Sequence, residues 1–200
     1  GTDMHIYDWN EWAEGRIRTP MTFGHELAGT VEEVGPVVHH VNPGAFVAAE
    51  THIACGVCST CRSGRPHICR NLKILGVDTD GAFAEYVVVP AENAWVVGEG
   101  IPPDHASVME PFGNAVHATF GTEGGEDLLT NPVAVIGCGP IGLFSVGIAR
   151  ALGAWKVIAI EPNDERRALA AKMGADLLVD PKGDDPVEVL VDGLHRQRVE

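Results

Sequence analysis

The sequence predicts a chain of mixed class. A small barrel of short β-strands occupies residues 1–109, and the opening part of a doubly wound α/β domain occupies 110–200. Three observations carry that reading. Short strand-like runs in the first half are punctuated by Gly and Pro at close intervals, as in small barrels. From Pro132 onward, short apolar runs alternate with stretches of helical spacing, in the strand–helix–strand–helix–strand order of a parallel sheet. A glycine-rich turn stands where the first of these strands meets the first helix.

The elements follow in order. Ala28–Gly35 alternates apolar and polar residues and ends in Gly35-Pro36, a turn signal. Ala45–Ala49 and Ala82–Pro90 read as further strands. The character changes near Glu110, and Phe112–Phe120 has the apolar spacing of a helix. Pro132–Ile136 is a short apolar strand of the parallel type. Ile141–Leu152 reads as a helix, Lys156–Ile160 as a strand, Asp164–Met173 as a helix and Asp176–Val179 as a strand. A weaker helix begins at Asp185. There is no internal repeat and no low-complexity segment.

Composition narrows the function classes. With 200 residues, 45% of them hydrophobic, the chain suffices for one large domain or two small ones with real cores. Fourteen basic residues against twenty-eight acidic ones give a net charge of -14, which disfavours nucleic acid and anionic membrane surfaces as partners. No apolar run is long enough to span a bilayer, and no signal peptide is visible. The chain opens on Gly1 rather than Met and reads as cut at its front.

Cys55, Cys58, Cys61 and Cys69 carry the strongest chemical signal. Two Cys-x-x-Cys steps place three sulfurs around one point, and the arm through Gly64 and Pro66 folds back to deliver the fourth. A tetrahedral zinc takes four thiolates in that arrangement with no open position, so the expected metal is structural. Two disulfides between such close neighbours would be strained, and the fifth cysteine, Cys138, would be left over. That points to a reducing, cytoplasmic setting.

Gly137-Cys-Gly139-Pro140-Ile141-Gly142 follows a strand and opens a helix, and Glu161 stands at the end of the next strand. In that context the motif predicts a dinucleotide site. Gly137 makes the tight turn, Gly139 lets a pyrophosphate approach the backbone, and Gly142 lets helix and strand pack. Pro140 suits the first helical turn, where its missing N–H costs nothing. Glu161 is expected to bind ribose hydroxyls and repel a 2′-phosphate, which favours NAD over NADP. Arg166, just beyond, leans the other way.

His25 and Glu26 are both zinc-ligand types, but neighbours on a strand point to opposite faces. They can share a metal only if the chain bends there. Glu110, at the domain junction before a proline, either reaches a cleft or caps the following helix. His39, His40, His67, His105 and His195 are read as ordinary surface or packed histidines.

The order Gly1-Thr-Asp-x-His5, Gly24-His-Glu26, the four-cysteine loop and Gly137-x-Gly-x-x-Gly142 resembles the zinc-dependent medium-chain dehydrogenase family. That family pairs a GroES-like barrel with a Rossmann domain. Three stretches bring the resemblance to a branch acting on a small amino-acid substrate: Gly1–Trp12, Thr51–Gly56 and Glu110–His117. The resemblance runs from Gly1 to about Pro186, and the polar tail 193–200 is unlike the family.

The resemblance implies a second, catalytic zinc, with His25 and Glu26 matching its ligand motif and Glu110 a nearby acidic position that approaches the metal. It implies NAD as hydride acceptor, Thr2 and His5 as the path for the released proton, and a homotetramer. The family's remaining zinc ligand is a Cys just before Gly-Thr-Asp, and this chain begins after it and ends before the later Rossmann strands. The expectation for the chain by itself is therefore about one tightly held zinc and little turnover. Two other readings are a related polyol or butanediol dehydrogenase, and a non-catalytic remnant that binds zinc and NAD.

Overall fold

Two short helices open the chain where the sequence reading places no helix. In the computed structural model, which describes residues 1–121 and 131–195, α1 spans Thr2–Tyr7 and α2 spans Glu11–Arg16. Neither is long enough to show a helical period. α2 is fixed by its cap, since the Asn10 side chain accepts a hydrogen bond from the Ala13 N–H. Ile6, Ala13 and Ile17 are buried against Val77, with Met21, Phe23 and Ile74 packed around them. This core seats both helices on the segment that leads to His25.

The chain divides into two units, Gly1–Glu110 and Pro111–Glu200. In the first, β1 (Ala28–Thr30), β2 (Phe46–Ala49) and β5 (Ala94–Val96) form an antiparallel sheet with β2 in the centre. The register pairs Gly29 with Val47 and Ala48 with Trp95. A second antiparallel pair joins β3 (His52–Ile53) to β4 (Lys73–Ile74). Between these two strands lie the four cysteines, α3 (Ser59–Arg62) and a 3-10 turn at Pro66–Ile68. α4 (Pro103–Ala106) follows β5, and α5 (Met109–Phe120) runs across the boundary of the units.

Two strand expectations need correction. Ala28–Gly35 is a strand only as far as Thr30: Val31 still bonds to Ala45 and Gly44 of the partner segment, but residues 32–35 have no ladder partner among the described residues. Ala82–Pro90 is not a strand. Its first N–H groups go to an adjoining loop: Gly81 donates to the Thr22 carbonyl, Ala82 to Gly24 and Phe83 to Phe23. Beyond Phe83 no strand among the described residues pairs with it, and Tyr86 and Val88 stand 74% and 93% exposed. Strand propensity without a ladder partner does not make a strand.

In the second unit, β6 (Val133–Ile136), β7 (Val157–Ile160) and β8 (Leu177–Val179) form a parallel sheet in the order β6-β7-β8. The connecting helices are α6 (Pro140–Ala151), α7 (Asp164–Met173) and α8 (Pro186–His195). The central β7 is buried along its whole length. Val157 and Ala159 pack with Val146, Ala149 and Ala170, while Ile158 and Ile160 pack with Val179, Val189 and Leu190. Both faces of β7 are thus covered, as a parallel strand requires. Of the polar tail, residues 196–200 lie outside the described residues. Among the described residues no helix is long and apolar enough to cross a membrane.

Candidate metal centres and cofactor turn

The four-cysteine loop is built locally. Gly56 and Gly64 take positive φ, 71° and 78°, and turn the chain before and after α3. Cys58 caps α3, so Cys61 falls on its one turn. The sulfurs all lie within 4.8 Å of one another, with Cys58 Sγ at 3.4 Å from Cys61 Sγ and 3.8 Å from Cys69 Sγ. All four thiols are free of disulfides. Tetrahedral zinc with bonds of about 2.3 Å sets its sulfurs about 3.8 Å apart, so the cluster fits a structural zinc.

Groups around the sulfurs are arranged for thiolates. Cys69 Sγ accepts from the Cys55 and Asn71 N–H groups, and Cys55 Sγ from the Asn71 side-chain amide. The Thr60 hydroxyl and the N–H groups of Cys61 and Arg70 hold the Cys58 thiol down to about 5. Burial and the neighbouring sulfurs push Cys61 up to about 12. A metal-free cluster therefore does not shed all its protons together, and a cation removes that conflict by favouring every thiolate.

The second cluster is assembled from distant segments. His25 follows Gly24, whose φ of 93° gives the bend that the sequence reading required. Gly76 and Gly81 pack directly on this turn, where a Cβ at either would overlap the Gly24 carbonyl. His25 Nε2 comes to 4.0 Å from Glu26 Oε1. Glu110, in the first turn of α5, supplies a third donor, and the three donor atoms lie within 4.8 Å of one another. The structure thus places Glu110 at the cluster. Glu110 Oε1 accepts from the hydroxyl of the fully buried Thr51 at 3.3 Å.

The sequence reading passed over two residues, Asp3 in contact with this centre and His52 within the field of Glu110. Asp3, on α1, sets Oδ2 3.2 Å from His25 Nδ1, short of hydrogen-bond alignment. Asp3 Oδ1 and His25 Nδ1 are both buried without a hydrogen-bond partner among the described residues. A cation on Nε2 would make Nδ1–H an obligate donor facing that carboxylate, so the orphaned pair fits a metal on the other side of the ring. Burial, together with Glu110 and Asp3, raises the Glu26 carboxyl above its ordinary range against the pull of His25. Excess negative charge around one imidazole suits a divalent cation, and a set of one nitrogen and two oxygens leaves a coordination position open.

His52 is the other omission. Its Nδ1 lies 2.6 Å from Glu50 Oε1, and that bond, with the charge of Glu110, raises the imidazole toward its cationic form despite partial burial. The sequence signal was present in Gly1-Thr-Asp and Thr51-His-Ile, but neither neighbouring residue completes a metal-ligand spacing. Thr2 and His5 share one face of α1, at i and i+3. His39, His40, His67 and His105 belong to neither metal-ligand group, and the side chain of His195 lies outside the described residues.

The glycine-rich turn has the dinucleotide geometry. Gly137 has φ 86°, and Gly139 caps α6 with Pro140 in the first helical turn. A Cβ at Gly142 would overlap the Gly137 carbonyl oxygen, so helix and turn meet as only glycine allows. Gly137, Gly139, Pro140, Ile141 and Gly142 line an open pocket of about 410 Å³. Helix N-terminal N–H groups beside such a pocket suit a pyrophosphate.

Glu161 closes the underside of the turn. It is only 4% exposed, with Oε2 accepting the Cys138 N–H at 2.7 Å and Oε1 the Asn163 N–H at 2.9 Å. Burial works against its charge, but these two bonds and the cations of Arg166 and Arg167 carry the carboxyl below its ordinary range. Each oxygen keeps a further lone pair for a ligand hydroxyl. Arg166 is exposed on the first turn of α7. Cys138 is buried, and burial with the Glu161 charge pushes its thiol up, as suits a packing residue.

Comparison with known proteins agrees with this geometry. A family profile described as "Alcohol dehydrogenase GroES-like domain" matches residues 1–99, and one described as "Zinc-binding dehydrogenase" matches 140–198. The chain is 50% identical to the L-threonine 3-dehydrogenase of Pyrococcus abyssi, over 96% of its own length and 54% of the relative's. It spans about half the length of the curated relatives it matches. Among solved structures it is similar to a protein of Sinorhizobium meliloti 1021 described as a "putative zinc-binding dehydrogenase" bound to NADP (37% identity, TM-score 0.82, covering 94% of this chain and 53% of that one). It is also similar to an alcohol dehydrogenase of E. coli CFT073 complexed with NADH (33% identity, TM-score 0.83, covering 96% and 55%).

Proposed function

We propose, for a chain that belongs to the zinc-dependent medium-chain dehydrogenase family, that the whole protein oxidises the 3-hydroxyl of L-threonine to give 2-amino-3-oxobutanoate, with hydride transfer to NAD. The convergence of His25, Glu26 and Glu110, with Asp3 of α1 against His25, supports a dehydrogenase site. The 50% identity to an L-threonine 3-dehydrogenase supports the substrate. When bound, zinc supplies a Lewis acid that acidifies a substrate hydroxyl, and NAD supplies the acceptor for the two electrons of the hydride.

The chain's own residues do the rest. His25, Glu26 and Glu110 hold the metal, and Asp3 fixes the orientation of the His25 ring. Thr2 and His5 are the groups through which the hydroxyl proton leaves. His52, raised toward its cationic form, offers a positive group to the substrate carboxylate. The turn Gly137–Gly142 holds the pyrophosphate, and Glu161 takes ribose hydroxyls on its remaining lone pairs. An ionised, buried Glu161 opposes a 2′-phosphate, which makes NAD the preferred cofactor, while exposed Arg166 sets how strong the preference is. The four cysteines bind the structural zinc. A cytoplasmic homo-oligomer accords with the same family reading.

The test is turnover. Zinc-replete whole protein should form NADH with L-threonine and favour NAD over NADP. Turnover of sorbitol or butanediol with none of threonine would replace the substrate reading, and tighter NADP binding would overturn the cofactor reading.

A further inference from the structure

His5 has a neighbour that decides which of its nitrogens carries the proton. Trp9 is the one non-glycine residue among those described with a positive φ, 46°. L-residues rarely adopt that conformation, and it persists only where the surroundings impose it. Here it ends α1 and turns the chain back, so that the Asn10 N–H donates to the His5 carbonyl and the Asn10 side chain returns to the His5 ring.

Asn10 then makes two side-chain bonds of opposite sense. Its Oδ1 accepts the Ala13 N–H at 3.1 Å as the cap of α2. Only the oxygen of an amide can accept, so this bond orients the side chain and leaves Nδ2 as the atom that faces His5. Nδ2 lies 2.7 Å from His5 Nδ1. Because the amide nitrogen can only donate, Nδ1 must be the accepting nitrogen, and the ring proton of neutral His5 sits on Nε2. The Trp12 ring stands edge-on at 6.3 Å and 62° beside the same imidazole.

We propose that Asn10 is a positioning residue for His5. Its capped, oriented amide holds His5 in the Nε2–H tautomer and makes Nε2 the nitrogen that gives up a proton. The consequence for chemistry rests on reading His5 as part of the proton path. A relaying imidazole takes a proton on one nitrogen and releases another from the other. With Nε2 as the releasing atom, Nδ1 is the receiving one, and the Asn10 amide must turn from Nδ1 for uptake to occur. Strain at Trp9, the α2 cap and the His5 tautomer thus belong to one local device.

The test is nitrogen NMR of protein labelled with 15N-histidine, recorded at about pH 9, where an ordinary imidazole is neutral. His5→Gln identifies the His5 signals among those of nine histidines. Free histidine already favours Nε2–H, so the informative quantity is the change between variants. The unmodified protein should show a pyridine-like Nδ1 with no detectable second tautomer. Asn10→Asp keeps a good helix cap but replaces the donor by an acceptor, so it should invert the pattern to Nδ1–H. Asn10→Ala should relax it to the mixture of free histidine. A mixed tautomer in the unmodified protein, or an Asp variant that retains Nε2–H, overturns the proposal whatever the turnover. If the tautomer inverts and L-threonine turnover by the whole protein carrying the same substitution stays unchanged, the positioning role stands, and it is the proton-path reading of His5 that falls.

Discussion

The two candidate metal centres belong to the same unit but are constructed in opposite ways. The four cysteines sit in one short loop between β3 and β4, and every group that shapes the cluster is in that loop or next to it. His25, Glu26 and Glu110 come from a glycine-bent turn and the start of α5, with Asp3 added from α1. A local centre needs only its own turns. A distributed one depends on packing elsewhere, including Gly76 and Gly81 against Gly24 and the apolar core under α1. The donors differ too, since four soft thiolates hold zinc more tightly than one imidazole and two carboxylates.

The largest effect should come from breaking the local centre. Cys69→Ser removes one of four thiolates and two N–H···S bonds. Zinc affinity there should fall by about 3 kcal/mol or more, roughly a hundredfold, as a quarter of a full thiolate set. Competition with a colourimetric chelator measures it, and an unchanged affinity would remove the loop as the zinc site.

Gly81→Ala sharpens the contrast. The added methyl meets backbone of Gly24, Gly76 and Phe23, none of which can yield cheaply. We expect a destabilisation of about 1–3 kcal/mol and loss of metal from the His25 centre, with the four-cysteine zinc retained. Thermal unfolding and metal analysis of the same sample report both. Loss of both metals would mean that the centres are not independent.

In the second unit, the equivalent of these networks is Glu161 under the glycine-rich turn. Its folded carboxyl lies below its ordinary range, so its stabilisation is present above the unfolded value, about 4.3, and is lost as pH falls through the lower folded value. Glu161→Gln should cost about 1–3 kcal/mol at neutral pH, because an amide cannot accept both N–H bonds with its single oxygen. It should also flatten the acid limb of the stability curve. A parallel curve, merely shifted, would show that the charge of Glu161 is not what matters.

The smallest effect concerns a surface tie between α2 and the β4 turn. Arg16 makes a two-pronged bond to Asp78, which also accepts the Ile74 N–H. Arg16→Ala should cost under about 1 kcal/mol, as exposed pairs do. Asp78→Ala should cost more, about 1–2 kcal/mol, through the orphaned N–H. Chemical denaturation ranks the two, and the reverse order would assign the tie to charge alone.

What was legible in the sequence follows the same division. The four-cysteine loop and the Gly137–Gly142 turn are short-range patterns, and their spacing alone dictates their geometry. Strand β7 was equally plain, because burial on both faces writes the continuous apolar run Val157–Ile160, and β6 and β8 carry similar apolar runs although they are partly exposed. α1 and α2 were not legible, since six residues each cannot show a helical period. Ala82–Pro90 had strand composition but no neighbour to pair with. Glu110 stayed open between a cleft and a cap because only packing decides where the first turn of α5 points. Asp3 and His52 were missed because their partners, His25 and Glu50 with Glu110, are joined to them by contact or field rather than by spacing.

The most direct test of two independently built centres is a cobalt(II) titration of the metal-free 200-residue chain, followed by absorption. Thiolate coordination gives intense charge-transfer bands that nitrogen and oxygen donors lack. The account predicts that the thiolate bands saturate first and that a weaker, thiolate-free spectrum follows. Cys69→Ser should abolish or weaken only the first phase, and Gly81→Ala only the second. Loss of both phases in either variant, or a Gly81→Ala protein that fills both as before, would contradict it.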